Sequence, residues 1–309
     1  MSRSELLRCY LLHAISRRSE MLTSWNRKKL RGIEGDKANE FLKQSLLSDV
    51  PIAFIRPGFA EVDDFFYYDE TVYWPPNGIH RREKKLRGLF DNDDDYQQYQ
   101  RNVRKGFSDV DAFFLYENYQ YQYLYKTYFK NIPAVDAGSI IALKHSDPWT
   151  KSLAGKKVLI LSVFSEKIKE QYSRIEKVFP KYNPWPDFNL VTVQSIWSLP
   201  HDSVNSRFKS YFDELKYLFN ECMKEDFEVA LLCCGKFGIE LAPMLKREGK
   251  KAIQIGGDLQ VMFGIKGRRW DEIPNFVRKY YNEYWIRASI EETGANEIIA
   301  KKCDNGCYW

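Results

Sequence analysis

A regular alternation of buried strands and amphipathic helices in the second half of the chain restricts the fold more than any other feature. Four short apolar runs have the length of buried strands, and the segments between them have apolar residues at helical spacing. The strands are predicted at 158–164, 189–196, 228–234 and 251–257, and the helices at 165–179, 205–224 and 239–249. Units of this kind build parallel sheets covered by helices. We therefore predict an α/β protein with a Rossmann-like parallel sheet.

The first half of the chain is less regular and richer in aromatic residues. A helical, aromatic-rich extension is predicted at 1–50, with helices at 5–25 and 37–48, and a short apolar strand follows it at 51–57. We interpret the polar and Tyr-rich stretch at about 70–135 as an insertion. Because 309 residues suit one large α/β domain, we predict a single domain over the whole chain, with its core starting at residue 51.

Composition narrows the classes of function. With 44% hydrophobic and 29% charged residues, the chain has the make-up of an ordinary globular protein. Its formal net charge of +5 is too small to indicate nucleic-acid binding but suits an anionic ligand. No apolar run approaches the ~20 residues that span a bilayer, and the six cysteines lack zinc-ligand spacing. We expect a cytoplasmic protein with reduced thiols and no nucleic-acid partner, and the sequence leaves a homo-oligomer open.

Two glycine turns follow neighbouring predicted strands. Gly235 and Gly238 come after one strand, and Gly256 and Gly257 end the next. Ligands of parallel sheets bind at the carboxyl ends of the strands, where glycine lets a phosphate approach the backbone amides. Tight packing of strand on helix is the alternative, and the pattern alone leaves both open. The spacing is not a dinucleotide fingerprint, so no redox cofactor is expected.

Charged residues accompany these turns. Lys266 and Arg268 follow the second glycine pair, and guanidinium groups match phosphate oxygens well. Arg56 and Glu61 bracket the turn after the first strand, where a glutamate can act as a general base or bind a sugar hydroxyl. A solvated basic loop and an internal salt bridge are the respective alternatives. The aromatic segment at 107–129 could stack on sugar rings, although a buried aromatic face is favoured.

Several segments carry a resemblance to a known family. They are AFIRPGFAE, PWTKSLAGKKVLIL, VQSI, LLCCGKFGIELAPMLKREGKKAIQIGGDLQVMFGIKGRRW, NEYWIRAS and GCYW. Together they resemble a bacterial and viral family of glycosyltransferases of the GT-D fold, associated with surface polysaccharide synthesis. The resemblance is strongest over 148–309 and weaker at 51–64. It implies a nucleotide-sugar donor as co-substrate and a glycan or glycoconjugate acceptor.

The resemblance also implies roles for particular residues. In the better-characterised branch, the turn after the first strand is Arg-x-Gly-Asp-Gly-Glu, and its carboxylates serve the metal and the donor. Here the glutamate matches, but Phe59 replaces the aspartate, and a neighbouring acid, Asp63 or Asp64, could compensate. The implied sets are Glu61, Arg56 and Asp64 for catalysis, Gly58, Gly235, Gly238, Gly256, Gly257, Lys266 and Arg268 for the donor, and Asp63 for Mg²⁺ or Mn²⁺. The loss of the aspartate keeps open a non-catalytic nucleotide- or glycan-binding protein.

Overall fold

A computed structural model of the protein describes most of the chain. It covers residues 32–59, 61–62, 65, 93–197, 208–272, 276–297, 300 and 306–309. The first helix predicted in the N-terminal extension, at 5–25, lies outside these residues. The second is confirmed as helix α1 (Gly35–Leu47).

A parallel sheet of seven strands forms the centre of the protein and confirms the predicted Rossmann-like α/β fold. The strands are β1 (Ile52–Ile55), β2 (Ala112–Leu115), β3 (Ala134–Asp136), β4 (Lys157–Ser162), β5 (Asn189–Gln194), β6 (Val229–Cys233) and β7 (Lys251–Gln254). Their order across the sheet is β3-β2-β1-β7-β6-β4-β5. The segment predicted as an insertion at about 70–135 thus contributes β2 and the start of β3, so its second half belongs to the core.

Helices cover both faces of the sheet. After α1 they are α2 (Asp93–Gly106), α3 (Tyr119–Leu124), α4 (Ser165–Tyr172), α5 (Ile175–Val178), α6 (Tyr211–Met223), α7 (Phe237–Arg247), α8 (Asp258–Met262) and α9 (Arg268–Glu272). Apolar side chains of α1, α4, α5 and α8 join one buried cluster, and those of α2, α3, α6 and α7 join the other. Covering on both faces explains why β6, with the sequence VALLC, is apolar without alternation. None of the helices in the described ranges is long and apolar enough to cross a membrane.

The crossover connections between the parallel strands all have the same handedness. Those that move toward β3 pass over the α6–α7 face, and those that move toward β5 pass over the α4–α5 face, as the rule for parallel crossovers requires. The chain leaves β1 toward the α6–α7 face, where Val62 and Phe65 are buried, but leaves β7 toward the opposite face, where Leu259 is buried. A crevice therefore opens between the carboxyl ends of β1 and β7, the place where such sheets bind ligands.

The turn at Gly264 connects the C-terminal segment to the core of the large sheet. Gly264 precedes the small two-stranded sheet of β8 (Ile265–Lys266) and β9 (Ile286–Arg287). Its φ is +70°, and its carbonyl accepts hydrogen bonds from Gln171 Nε2 and from the backbone N–H of Ile286, each at 3.1 Å. A Cβ at this position would lie well under 3.0 Å from Cγ1 of Val178. The close contact between this turn and α5 therefore requires glycine.

Gly264→Ala should lower the free energy of unfolding by about 2–5 kcal/mol, since a left-handed residue costs roughly 1–2 kcal/mol and overpacking adds roughly 1–3 kcal/mol. Urea unfolding followed by circular dichroism measures the loss. Gly155→Ala is the matched control, because Gly155 has φ +71° with no atom within 4 Å of the added Cβ. Equal losses in the two variants would show that Val178 does not restrict position 264.

Candidate functional site

A buried ion pair occupies the crevice between β1 and β7. Arg56 directly follows β1, and Asp258 begins α8 just after β7. The Arg56 guanidinium donates from Nη2 to Asp258 Oδ2 and to the hydroxyl of Tyr116, and from Nη1 to the carbonyl of Ile255. The two charged side chains are 9% and 8% exposed. The strand ends thus converge on one desolvated cation.

The surroundings of Arg56 keep it charged but leave one donor unused. Burial alone would lower the pKa of Arg56, but the Asp258 carboxylate and Tyr116 outweigh this effect and hold the pKa above its ordinary value. The Nε–H of Arg56 is buried and has no hydrogen-bond partner among the described residues. A permanently charged guanidinium with a spare N–H is a fitting receptor for an anionic oxygen.

The Gly256-Gly257 turn lets cationic and aromatic side chains close around the end of β7. Gly256 has φ +69°, and a Cβ there would lie 2.9 Å from Arg56 Nη1. A Cβ at Gly257 would lie 3.0 Å from Cε1 of Tyr308 and 3.3 Å from Nη1 of Arg269. The Gly256-Gly257 turn therefore lies directly beside Arg56.

The Gly235–Gly238 turn follows the adjacent strand β6 and is filled by an amide side chain. Gln254 donates from Nε2 to the carbonyl of Gly235 at 3.0 Å and accepts from the backbone N–H of Arg56 at 2.8 Å. A Cβ at Gly238 would lie 2.7 Å from the Gln254 side chain. The packing alternative therefore explains Gly238, and Gln254 connects the three turns into one edge.

The Glu61 carboxylate folds back over the turn after β1. A Cβ at Gly58 would lie 2.5 Å from Glu61 Oε2, so glycine at position 58 leaves room for this carboxylate. The other two acids predicted here, Asp63 and Asp64, lie outside the described residues. Within the described ranges, no group of three or more His, Cys, Asp or Glu side chains could hold a metal ion. The described donor set is therefore incomplete for Mg²⁺ or Mn²⁺.

The predicted basic cluster divides into different environments. Lys266 lies over the ring of Tyr281 at 5.1 Å, and Arg268 pairs with Glu272 at 3.2 Å. Arg269, the next residue, approaches Gly257 instead and stacks on Tyr308 at 4.9 Å. The donor-binding roles of Lys266 and Arg268 stay predictions, and Arg269 is the arginine that lies beside Gly257.

The C-terminal residues cover this edge of the sheet. The carbonyl of Tyr308 accepts from Gln260 Nε2 at 2.8 Å, and that of Cys307 accepts from the backbone N–H of Arg269 at 3.0 Å. Trp197, just beyond β5, packs against both Tyr308 and Trp309. The C-terminal residues thereby place the ring of Tyr308 beside the Gly256-Gly257 turn.

A second polar cluster lies behind the β6 turn. Lys236 is 1% exposed, with Nζ 4.8 Å from the ring centre of Tyr211, whose hydroxyl donates to Glu240 Oε2 at 2.7 Å. Burial raises the pKa of Glu240 to about 7, although the hydrogen bond from Tyr211 and the charge of Lys236 oppose the shift. A carboxyl group that ionises near neutrality thus lies next to the candidate site.

The sequence analysis did not single out several of these residues, although some of them lie in the strand-end turns where a ligand was expected. Asp258 stands directly after a glycine pair that ends a buried strand, the position at which parallel sheets bind ligands. Tyr116 directly follows β2, a strand hidden within an aromatic-rich stretch. Lys236 and Glu240 lie at and just after a predicted strand–helix turn, and nothing in the pattern indicates their burial.

Comparisons with known proteins add no assignment. The chain matched no protein-family model, no curated protein and no solved structure. The resemblance to glycosyltransferases of the GT-D fold therefore depends on the segments quoted above and stays a prediction.

The titration of Glu240 should appear in the pH dependence of stability. A carboxyl pKa raised in the folded state means that the unfolded chain ionises first. Stability should therefore fall as the pH rises from about 4.5 to about 7, by on the order of 3 kcal/mol. Glu240→Gln keeps an oxygen to accept from Tyr211 but cannot ionise, so the variant should lack this loss. Urea midpoints at pH 5, 6, 7 and 8 test this, and parallel pH profiles would contradict it.

Proposed function

We propose that the protein is a glycosyltransferase that moves a sugar from a nucleoside-diphosphate sugar to a hydroxyl of a glycan or glycoconjugate. The convergence of three strand-end turns on one edge of a parallel sheet carries this proposal. Arg56 and Arg269 flank the Gly256-Gly257 turn there, and a carboxylate lies close by in sequence at Glu61. Backbone amides, two guanidinium groups and one acid are the groups that transfer from a diphosphate donor requires.

Each group has a defined part in the proposed mechanism. Arg56 and Arg269, with the backbone N–H of Gly257, bind the diphosphate and stabilise the negative charge that develops on it as the sugar leaves. The N–H of Gly256 already donates to the carbonyl of Leu232 at 3.1 Å. Glu61 takes the proton of the attacking acceptor hydroxyl. The acids predicted for the metal and for catalysis, Asp63 and Asp64, lie outside the described residues, and Mg²⁺ or Mn²⁺ held there would add its charge to that of the two arginines.

The second candidate is a non-catalytic protein that binds a nucleotide or a glycan. Two observations favour it. Asp258 already neutralises the charge of Arg56, which weakens the attraction for a second anion. Phe59 stands where the resembled family has a carboxylate, so this turn has one acid fewer.

Incubation of the purified protein with a panel of nucleotide sugars separates the two candidates. Release of UDP or GDP above the uncatalysed rate, increased by added acceptor glycans, is expected for the transferase. Nucleotide binding without release, with and without Mn²⁺, would establish the binding protein instead. A structure solved with UDP or GDP would then show whether the diphosphate lies against Gly256 and Arg56.

Glu61→Gln should reduce turnover at least ~100-fold, the lower range for the loss of a positioned general base. The substitution keeps the size and polarity of the side chain, so the melting temperature should change little. Glu248→Gln is the matched control, because Glu248 is exposed beyond the C-terminal end of α7, at the opposite edge of the sheet. Normal turnover in Glu61→Gln would assign Glu61 a structural role.

Arg269→Ala should weaken the binding of UDP or GDP about 10-fold or more, as expected for the loss of a hydrogen bond between charged groups. Arg268→Ala should have a smaller effect, because Arg268 pairs with Glu272 rather than approaching Gly257. Isothermal titration calorimetry measures both, and Arg269→Lys reports whether charge alone suffices. A larger loss in Arg268→Ala would place the diphosphate away from the Gly256-Gly257 turn.

A further inference from the structure

One aromatic ring is exposed at the carboxyl ends of the strands, beside the tyrosines that follow β2. Among the described residues, the strongly exposed large apolar side chains are Leu47, Val50 and Phe59, at 58%, 63% and 57%. Leu47 and Val50 lie before the amino end of β1, far from the candidate site, and neither is aromatic. Phe59 lies beyond the carboxyl end of the same strand. Solvent exposure of a phenylalanine at this edge calls for a physical explanation.

One face of the Phe59 ring packs against tyrosines, and the rest of the ring is exposed to solvent. It stacks on Tyr116 with ring centres 4.8 Å apart and an interplanar angle of 28°, and it meets Tyr121 edge-on at 5.8 Å. Tyr121 is itself fully buried and donates from its hydroxyl to the carbonyl of Pro57 at 2.5 Å. Two fixed tyrosines therefore orient the ring, while more than half of it faces solvent.

The same tyrosine connects the ring to the proposed diphosphate site. The Tyr116 hydroxyl accepts a hydrogen bond from Arg56 Nη2, and Arg56 Cζ lies 5.3 Å from the centre of the Tyr116 ring. Arg56 in turn lies against Gly256. Phe59 is thus one side chain removed from the cation proposed to bind phosphate.

We infer that Phe59 is the stacking platform for the nucleobase of the donor, an inference that rests on the proposed function. A base and its diphosphate belong to one molecule, and here only the Tyr116 side chain separates an open aromatic face from the proposed anion receptor. Phenylalanine offers only a π-face, which stacks on any base and reads no hydrogen-bonding edge. The platform should therefore strengthen the binding of UDP and GDP alike and leave the choice between them to other residues.

Isothermal titration calorimetry with UDP, GDP and inorganic pyrophosphate tests the inference. Phe59→Ala should weaken the binding of both nucleotides by roughly 5- to 100-fold, the effect of losing one stacked base, and leave pyrophosphate binding unchanged. Phe59→Trp should restore nucleotide binding, since it supplies a larger ring. Leu47→Ala is the matched control for the loss of an exposed apolar side chain and should bind all three ligands like the wild type.

The outcomes separate this inference from the proposed function. If the wild type binds a nucleotide and Phe59→Ala binds it equally well, the platform is wrong and the diphosphate site stands. An equal loss for nucleotide and pyrophosphate would also overturn it, because the ring would then act on the turn and not on the base. Failure of the wild type to bind either nucleotide or pyrophosphate would overturn both proposals.

Discussion

The buried pair of Arg56 and Asp258 is the interaction on which the candidate site depends. Removing two charges from water costs several kcal/mol per ion, and attraction alone seldom offsets this cost. Here the hydroxyl of Tyr116 and the carbonyl of Ile255 accept two further hydrogen bonds from the Nη groups of Arg56. The pair therefore contributes less to net stability than to geometry, because it fixes the end of β1 against the start of α8.

That geometry exists because the chain leaves β1 and β7 toward opposite faces of the sheet. The divergence opens a space that backbone does not fill, and the long Arg56 side chain enters it. Glycine at position 256 is a consequence, because a side chain there would collide with Nη1 of Arg56. Fold topology, ion pair and glycine turn are thus three aspects of one constraint.

The sequence predicted the parts of this arrangement that depend on local pattern. Apolar runs and helical spacing over 158–257 sufficed for the central strands, and parallel strands bring their carboxyl ends to one edge. β2 was missed because AFFL lies within a stretch rich in Phe and Tyr, where apolar residues do not set a strand apart from its surroundings. The partnership of Arg56 with Asp258 spans 202 positions, and nothing in the local pattern distinguishes it from pairing with the nearer Glu61. Likewise, the sequence does not distinguish Arg268 from Arg269, whereas in helix α9 the two side chains have different partners.

The two glycine turns show why such patterns leave function open. At Gly238 the missing side chain is replaced by Gln254, a neutral group that ties strand ends together, so packing alone explains the glycine. At Gly256 the missing side chain gives way to a charged guanidinium with an unused donor. Only the second arrangement leaves a donor unused, although Asp258 already neutralises the charge of the guanidinium. We therefore place the centre of the proposed site at the boundary of β1 and β7, nearer to Arg56 than to the turn after β6, although the glycine spacing is more conspicuous there.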